Sequence, residues 1–595
     1  MSELIGVYSK NSSNYLKDMI KSLQFYSDYK IYNFFSPPFS GSLAQFKNLP
    51  FIDFFENKDY LLLFSGELYQ VDNNSFAKYI LNLFCQNKNF SFLKELEGIF
   101  SFCLFDKKSH SLHLVSDKFG LRSIYYTLLK DTFIFSSRLR PILLFPNLDR
   151  NLDYNAIGDL FYFGFVSGNK TLFKTIKLLP PGSILSFSDQ KIKLEKYWDS
   201  LSLFSLKYEN DKPSIKEVVT LFQQAVRKRL REKPLLGLSL SGGLDSRSIL
   251  AALGIQAQGM PSYTLGLPRC EDERLSARMA RIAGTKHQFL SITEESLKDF
   301  LSLAQTLVFY SDGFYYPHES TEKVALDYFK RAPFKILFRG HGGELAKAAL
   351  AFPVQVDKEV LNTKEASFLT KIFLKKTNLV LLDLKPEEVF SSPELKKLKT
   401  KIAEISLSKI RNLSENLSPG DIFLHFYLNE YIRRQAVASL NIFRTQVEIR
   451  LPFLDEDFLK ALFKLPIRKR YKGEIHVEIV KTYMPALIKV PNSNTGAPLD
   501  AGKWRLWFID KFNSLLKKLS VPGFRHYTEF DKWQRKYFRE AIEKILFEKK
   551  TLGRGLYEPS RLKEILESHL SGRKNYARFL GTAVGLELWF REYLD

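Results

Sequence analysis

The stretch Leu235-Leu236-Gly237-Leu238-Ser239-Leu240-Ser241-Gly242-Gly243-Leu244-Asp245-Ser246 decides how the chain is read. Its first six residues have the length and apolar character of a buried strand. Gly242 and Gly243 then let the backbone turn tightly and expose its amides, and the helix opening behind them adds the partial positive charge of its N-terminus. Ser241 and Ser246 offer hydroxyls to phosphate oxygens, so an anion belongs in the loop formed by Ser241, Gly242, Gly243, Leu244, Asp245 and Ser246. Asp245 is the odd residue, because a carboxylate beside a phosphate is repulsive unless a divalent cation such as Mg²⁺ bridges them. The loop therefore predicts a magnesium-bound polyphosphate. A plain strand-to-helix turn with an acid near its N-cap is the alternative, but it requires neither the flanking serines nor the acid at that offset. The Gly-Lys-Ser/Thr ending of a Walker A loop is absent, which disfavours kinase-type phosphoryl transfer.

Working outward, strands and helices alternate. Further strand candidates are Ser262–Leu267, His287–Ile292 and Phe334–Phe338, with helical segments near 244–254, 271–283 and 294–308 between them. Such alternation implies a doubly wound parallel sheet. Ahead of it, Ser214 and Glu217 form a capping box for a helix that Pro234 stops. From about residue 365 the pattern is almost wholly helical. The first 200 residues differ: Tyr60–Phe64, Phe100–Phe105 and Leu112–Val115 read as strands of packed sheets. The polar stretch Tyr208–Pro213 reads as a linker, which puts domains at 1–205 and 206–595.

With 595 residues the chain is too long for one core. Against 65 Asp plus Glu stand 88 Lys plus Arg, a net charge of +23, which raises nucleic acid, a membrane surface or an anionic small substrate as partners. Three cysteines offer neither a disulfide framework nor zinc-ligand spacing, which suits a reducing cytosol. No signal peptide and no run of about 18 apolar residues is present, so no membrane insertion is expected. The 52 Phe and 28 Tyr, scattered among charges, read as core packing and not as a membrane anchor.

The loop resembles the pyrophosphate loop of enzymes that split ATP into AMP and pyrophosphate. Val447-Glu448-Ile449-Arg450-Leu451-Pro452-Phe453-Leu454-Asp455 is similar to the V-E-x-R-x-P-F-L-D segment of asparagine synthetases. Tyr263-Thr264-Leu265-Gly266-Leu267 resembles that family's second strand, Gly340-His341-Gly342-Gly343-Glu344 its G-E-G-S-D loop, and Tyr471–Pro485 the helix leading to its L-P. In the first half, Ser65-Gly66-Glu67-Leu68-Tyr69, Leu96–Phe102 and Asp117–Gly120 with Tyr125-Tyr126 resemble class II glutamine amidotransferases. The resemblance implies an N-terminal α/β/β/α sandwich, then an adenine-nucleotide domain with a helical C-terminal extension. It also implies ATP and Mg²⁺ as cofactors, with Thr264, Leu265 and Gly266 facing adenine and Asp245 and Glu344 holding the metal.

The departures carry as much as the matches. A thiol is partly ionised near neutrality and a serine hydroxyl is not, so Ser2 in place of the family's nucleophilic cysteine speaks against glutamine hydrolysis. An R-H-R-G-P-D segment is missing around Ile31–Ser42, Ser65 replaces the oxyanion-hole asparagine, and Val71-Asp72-Asn73-Asn74 departs from G-S-D. His341 stands where the family keeps a glutamate, as a base for the attacking amine or a mere polar residue of the turn. Lys472 and His476 compete for the place of the family's charge-stabilising lysine. Asp312 resembles a family motif that lines the substrate pocket, and Arg434, like Arg433 and Arg450, suits a carboxylate or phosphate, although for Arg450 a buried salt bridge with Glu448 is the better fit. Together these imply a cytoplasmic ATP-dependent ligase, with room for a homodimer. It would join a carboxylate, whether aspartate, a saccharide acid or a peptide, to ammonia or an amine. Nucleic acid is not expected, although a tRNA-modifying enzyme and a non-catalytic relative stay as alternatives.

Overall fold

Alternation along the N-terminal strands builds the first domain. In the strand Tyr60–Leu68, Leu61 and Leu63 point to one side and Leu62 and Phe64 to the other. The first pair packs with Leu4, Leu43 and Phe135 of a second sheet. The other pair packs under Ala77, Ile80 and Leu81 of the helix Phe76–Asn87. On the far side Leu16, Met19 and Ile20 of the helix Ser12–Lys21 cover Ile5, Val7 and Ala44. Two six-stranded antiparallel sheets thus lie between helices, as expected of an α/β/β/α sandwich. The computed structural model describes residues 2–22, 29–46, 51–71, 75–204, 213–231, 235–315, 321–519 and 521–595. Residues 72–74, most of the expected linker and Pro234 lie outside the described residues.

The second domain carries a five-stranded parallel sheet in the order Lys286–Ser291, Pro261–Gly266, Leu236–Ser239, Ile336–Phe338, Glu448–Arg450. In chain order this is 3-2-1-4-5, a doubly wound arrangement whose direction reverses between the first and fourth strands. The loops that leave these two strands border a crevice at their carboxyl ends. The first strand leads directly into the helix Leu244–Leu253. Ser214 caps the helix Ile215–Lys228 by accepting from the Glu217 amide at 3.1 Å. The helix expected near 294–308 resolves into a short 3₁₀ turn, Glu295–Leu297, and a helix Phe300–Tyr310. The fifth strand, three residues long, lies inside the Val447–Asp455 segment. The C-terminal part is helical, with a π-helical stretch at Tyr427–Ala436.

Ion pairs fasten the domains together. Arg450 forks onto Glu67, with Nε and Nη2 2.6–3.1 Å from the carboxylate oxygens, and its Nη1 donates to the carbonyls of Arg229 and Arg231. Glu448 instead accepts from Arg122 at 2.7 Å and Arg444 at 3.1 Å. The pairing of Arg450 with Glu448 is thus replaced by one across the domain boundary. Two residues apart on a strand, these side chains stand side by side, and each meets an opposite charge beyond the sheet.

Among the described residues no helix is long and apolar enough to cross a membrane. Most of the aromatic residues fill the cores as expected. The helix Lys503–Lys518 departs from this, because its Trp504, Trp507, Phe508 and Phe512 are exposed.

Because the Arg450–Glu67 pair is buried on both sides, Arg450→Ala leaves an uncompensated carboxylate. It is expected to cost about 3–5 kcal/mol of unfolding free energy, measured by urea denaturation, and replacing both partners by Met and Leu is expected to recover most of it.

Candidate active site

At the crevice lies a cavity of about 740 Å³. Ser241, Gly243, Asp245 and Ser246 line it. The Ser241 amide donates to Ser246 Oγ at 3.0 Å, and the two hydroxyls stand 3.1 Å apart. Gly243 caps the helix with no side-chain partner, which leaves the helix N-terminus directed at the cavity. The Gly242 amide is not exposed as the sequence implied: it donates to Asp272 Oδ1 at 2.6 Å, and its carbonyl accepts from Arg247 at 3.1 Å. A side chain at 242 would meet Ser493 Cβ at 2.9 Å, so the glycine lets the loop close onto the segment behind it. Leu244 is buried behind the loop.

The second loop arrives from the fourth strand. Gly340 and Gly343 press against Asp245, and a Cβ on them would lie 2.6 Å from Asp245 Cβ and 2.2 Å from its Oδ1. That contact brings Asp245 and Glu344 to one cation, the ammonium of Lys347, 2.5 Å from Asp245 Oδ2 and 3.8 Å from Glu344 Oε1. His476 Nε2 lies 2.9 Å from Asp245 Oδ1, and the Tyr427 hydroxyl donates to Glu344 Oε2 at 2.5 Å. Burial alone would raise the Asp245 carboxyl, but Lys347 and His476 outweigh it and hold the group below the usual carboxylate range. Burial and the charge of Asp245 push Glu344 up instead. For Lys347 burial opposes the charge, and the two acids overcome it, so the ammonium stays protonated. Two acids converging on a position where positive charge is favoured are an oxygen-donor pair that suits magnesium.

The other expected residues divide. Thr264 and Leu265 line the cavity, and the Thr264 hydroxyl donates to the Leu240 carbonyl; Gly266 lies behind, where a Cβ would touch Cys270 Sγ at 2.8 Å. His341 lines the cavity, and burial with nearby Arg339 lowers it to about 3. His476 is buried against Asp245, and its own pKa is lowered by burial. Lys472 is exposed and does not line the cavity, so Lys347 is the cation beside the acids. Asp312 is buried at the domain boundary, where it accepts from the Leu139 amide at 3.2 Å and faces Arg138 at 3.6 Å. Arg434 donates to the carbonyls of Val166 and Lys170, so both lie away from the cavity. Arg339 was not anticipated; it lines the cavity, stacks on Phe443 at 4.4 Å, and its Nη1 has no hydrogen-bond partner among the described residues.

In the N-terminal domain Ser2 is buried. Its hydroxyl accepts from Arg122 Nη1 at 2.7 Å and from Ser65 at 3.0 Å. The space beside it is about 20 Å³. The region around Ile31–Ser42 forms two paired strands.

The fold and site define a protein of two joined parts, an amidotransferase-type sandwich and an α/β domain with a phosphate-type loop. Residues 65–198 match the glutamine amidotransferase domain family, and residues 217–493 match the asparagine synthase family. Over 282 residues the chain is 26% identical to asparagine synthetase (glutamine-hydrolyzing) 3 of Bacillus subtilis, an alignment covering 42% of this chain and 45% of that protein. Over 217 residues it is 29% identical to putative asparagine synthetase (glutamine-hydrolyzing) 2 of Methanocaldococcus jannaschii, covering 34% and 41%. Residues 217–493 belong to the asparagine synthase family, behind a segment of the glutamine amidotransferase domain family. It spans less than half the length of these curated relatives.

Gly343→Ala forces the two loops apart. Pyrophosphate binding, measured by isothermal titration calorimetry, is expected to weaken by about tenfold or more, the worth of one charge-assisted contact.

Proposed function

We propose that the protein is an ATP- and magnesium-dependent ligase that adenylates a carboxylate and joins it to ammonia or an amine. The observation that carries this is the meeting of Asp245, Glu344 and Lys347 beside the Ser241–Ser246 loop at the sheet crevice. The substrate carboxylate oxygen attacks the α-phosphorus of ATP, the bond to the bridging oxygen breaks, and pyrophosphate leaves with that electron pair. The nitrogen then attacks the acyl carbon, AMP leaves with the C–O pair, and the nitrogen gives up a proton.

Each residue has a part in this. The Ser241 and Ser246 hydroxyls and the N-terminus of the helix Leu244–Leu253 receive the pyrophosphate. Asp245 and Glu344 would hold magnesium, which when bound supplies charge neutralisation to the polyphosphate. Lys347 adds a fixed positive charge beside them, worth most in a site that excludes water. Thr264 and Leu265 face the nucleoside. Arg339, with its unpartnered Nη1, is the cation suited to the acid substrate. A conjugate acid near 3 makes His341 a weak base at neutral pH, so its part is to position the attacking nitrogen. The substrate class is an acid of the aspartate, saccharide-acid or peptide kind.

The nitrogen is not drawn from glutamine on this reading. Ser2 Oγ is held by Arg122 and Ser65 in a narrow space lined also by Glu3 and Arg138. Arg122 donates to the hydroxyl's lone pair instead of removing its proton, so nothing in contact with Ser2 activates it as a nucleophile.

ATP–pyrophosphate exchange across a panel of carboxylic acids is expected to appear with one class and to fall at least a thousandfold in Asp245→Ala; exchange that survives the substitution would sink the proposal. With glutamine as the only nitrogen source, no glutamate release is expected, and Ser2→Ala should change nothing. Glutamate formation abolished by Ser2→Ala overturns that part.

A further inference from the structure

The helix Lys503–Lys518 turns its largest apolar side chains away from the protein. Trp504, Trp507, Phe508, Phe512 and Leu515 are exposed by 82%, 55%, 64%, 61% and 53%, and Leu519, just past its end, by 66%. They recur at helical spacing on one face. The opposite face holds the helix in place: Leu506, Ile509 and Leu516 are half-buried and Asn513 is buried. Lys517 donates to the Ser493 carbonyl at 2.9 Å and pairs with Glu271 at 2.8 Å. The outer aromatic face is therefore built outward and is not an inner face left open, and a contiguous patch of this kind marks an interaction surface.

Charge identifies what covers it. Arg505, Lys511 and Lys518 are exposed on the same helix, and Asp510 is the only acid in it. A second copy docked through a twofold axis would set these cations against themselves in a chain of net charge +23. An anionic lipid surface meets both demands, because tryptophan settles at headgroup level and lysine and arginine pair with the headgroups. We propose that the helix Lys503–Lys518 docks the protein peripherally on an anionic membrane, lying in the interface plane with its tryptophan and phenylalanine rings inserted. At about 24 Å long it can lie along the surface, and no part of it needs to cross. On its inner side Lys517, with Ser493 and Asn494, lines the large cavity, so the docking helix is also part of the cavity wall.

The test is co-sedimentation of the full chain with phosphatidylcholine vesicles, with and without about one third phosphatidylglycerol. Binding is expected to the anionic vesicles, with little to the neutral ones, and to fall as salt rises. The fluorescence of Trp504 and Trp507 should shift to the blue on binding. Arg505→Glu/Lys511→Glu/Lys518→Glu is expected to weaken the partition by about a hundredfold. Trp504→Ser/Phe508→Ser/Phe512→Ser, all at exposed positions, should do so at an unchanged unfolding temperature. The proposal is overturned if anionic vesicles carry down no more protein than neutral ones. It is equally overturned if either triple variant still binds as the native chain does, or if light scattering shows a dimer that the aromatic variant dissociates.

Discussion

The structure depends most on the close approach of two loops at the switch point of the parallel sheet. Gly340 and Gly343 have no side chain to hold Asp245 off, so the acid of the first loop and Glu344 of the second share the Lys347 ammonium. Two carboxylates set side by side without that cation would repel each other, and the cation without them would be a lone buried charge. The phosphate-type loop, the cavity and the direction of the pKa shifts all follow from this contact. Sheet order makes it available, since only at the reversal of strand order do neighbouring loops leave room between them.

The N-terminal domain is fastened to the second through residues of its own motifs. Glu67, in a segment that resembles the amidotransferase family's N-G-E motif, grips Arg450 at the end of the fifth strand. Arg122 fills the space beside Ser2 while pairing with Glu448. One arginine thus links the buried N-terminal serine to the fifth strand of the parallel sheet.

The fold was legible because its signals are local. Strand-length apolar runs, Gly242-Gly243 and the 3.6-residue period gave the sheet, the loop and the helices, and short-range alternation gave the sandwich. What escaped was set by packing across the chain. The strand Glu448–Arg450 is too short for any period to register. Lys347 lies three residues after Glu344, and a 3₁₀ turn, at three residues per turn, stacks such a pair; that spacing was the available signal. Lys472 and Arg434 have the right chemistry and lie in the wrong places, since the side a charged side chain faces depends on neighbours hundreds of residues away. The exposed aromatics of the helix Lys503–Lys518 were hidden by composition, because a phenylalanine counts the same whether it faces a core or solvent.

The π-helical stretch Tyr427–Ala436 serves two masters. Tyr427 near its start reaches Glu344, and Arg433 and Arg434 near its end reach Asn169, Leu179, Val166 and Lys170 of the N-terminal domain. Such a stretch is wider than an α-helix by about one residue per turn. Its residue count, more than the identity of its outer side chains, is therefore what evolution must preserve. Loss of a single residue there would let the helix tighten and rotate the arginines away from their carbonyls by roughly 100°. Deletions, harmless in most exposed helices' flanking loops, are the class of change this segment is least able to absorb.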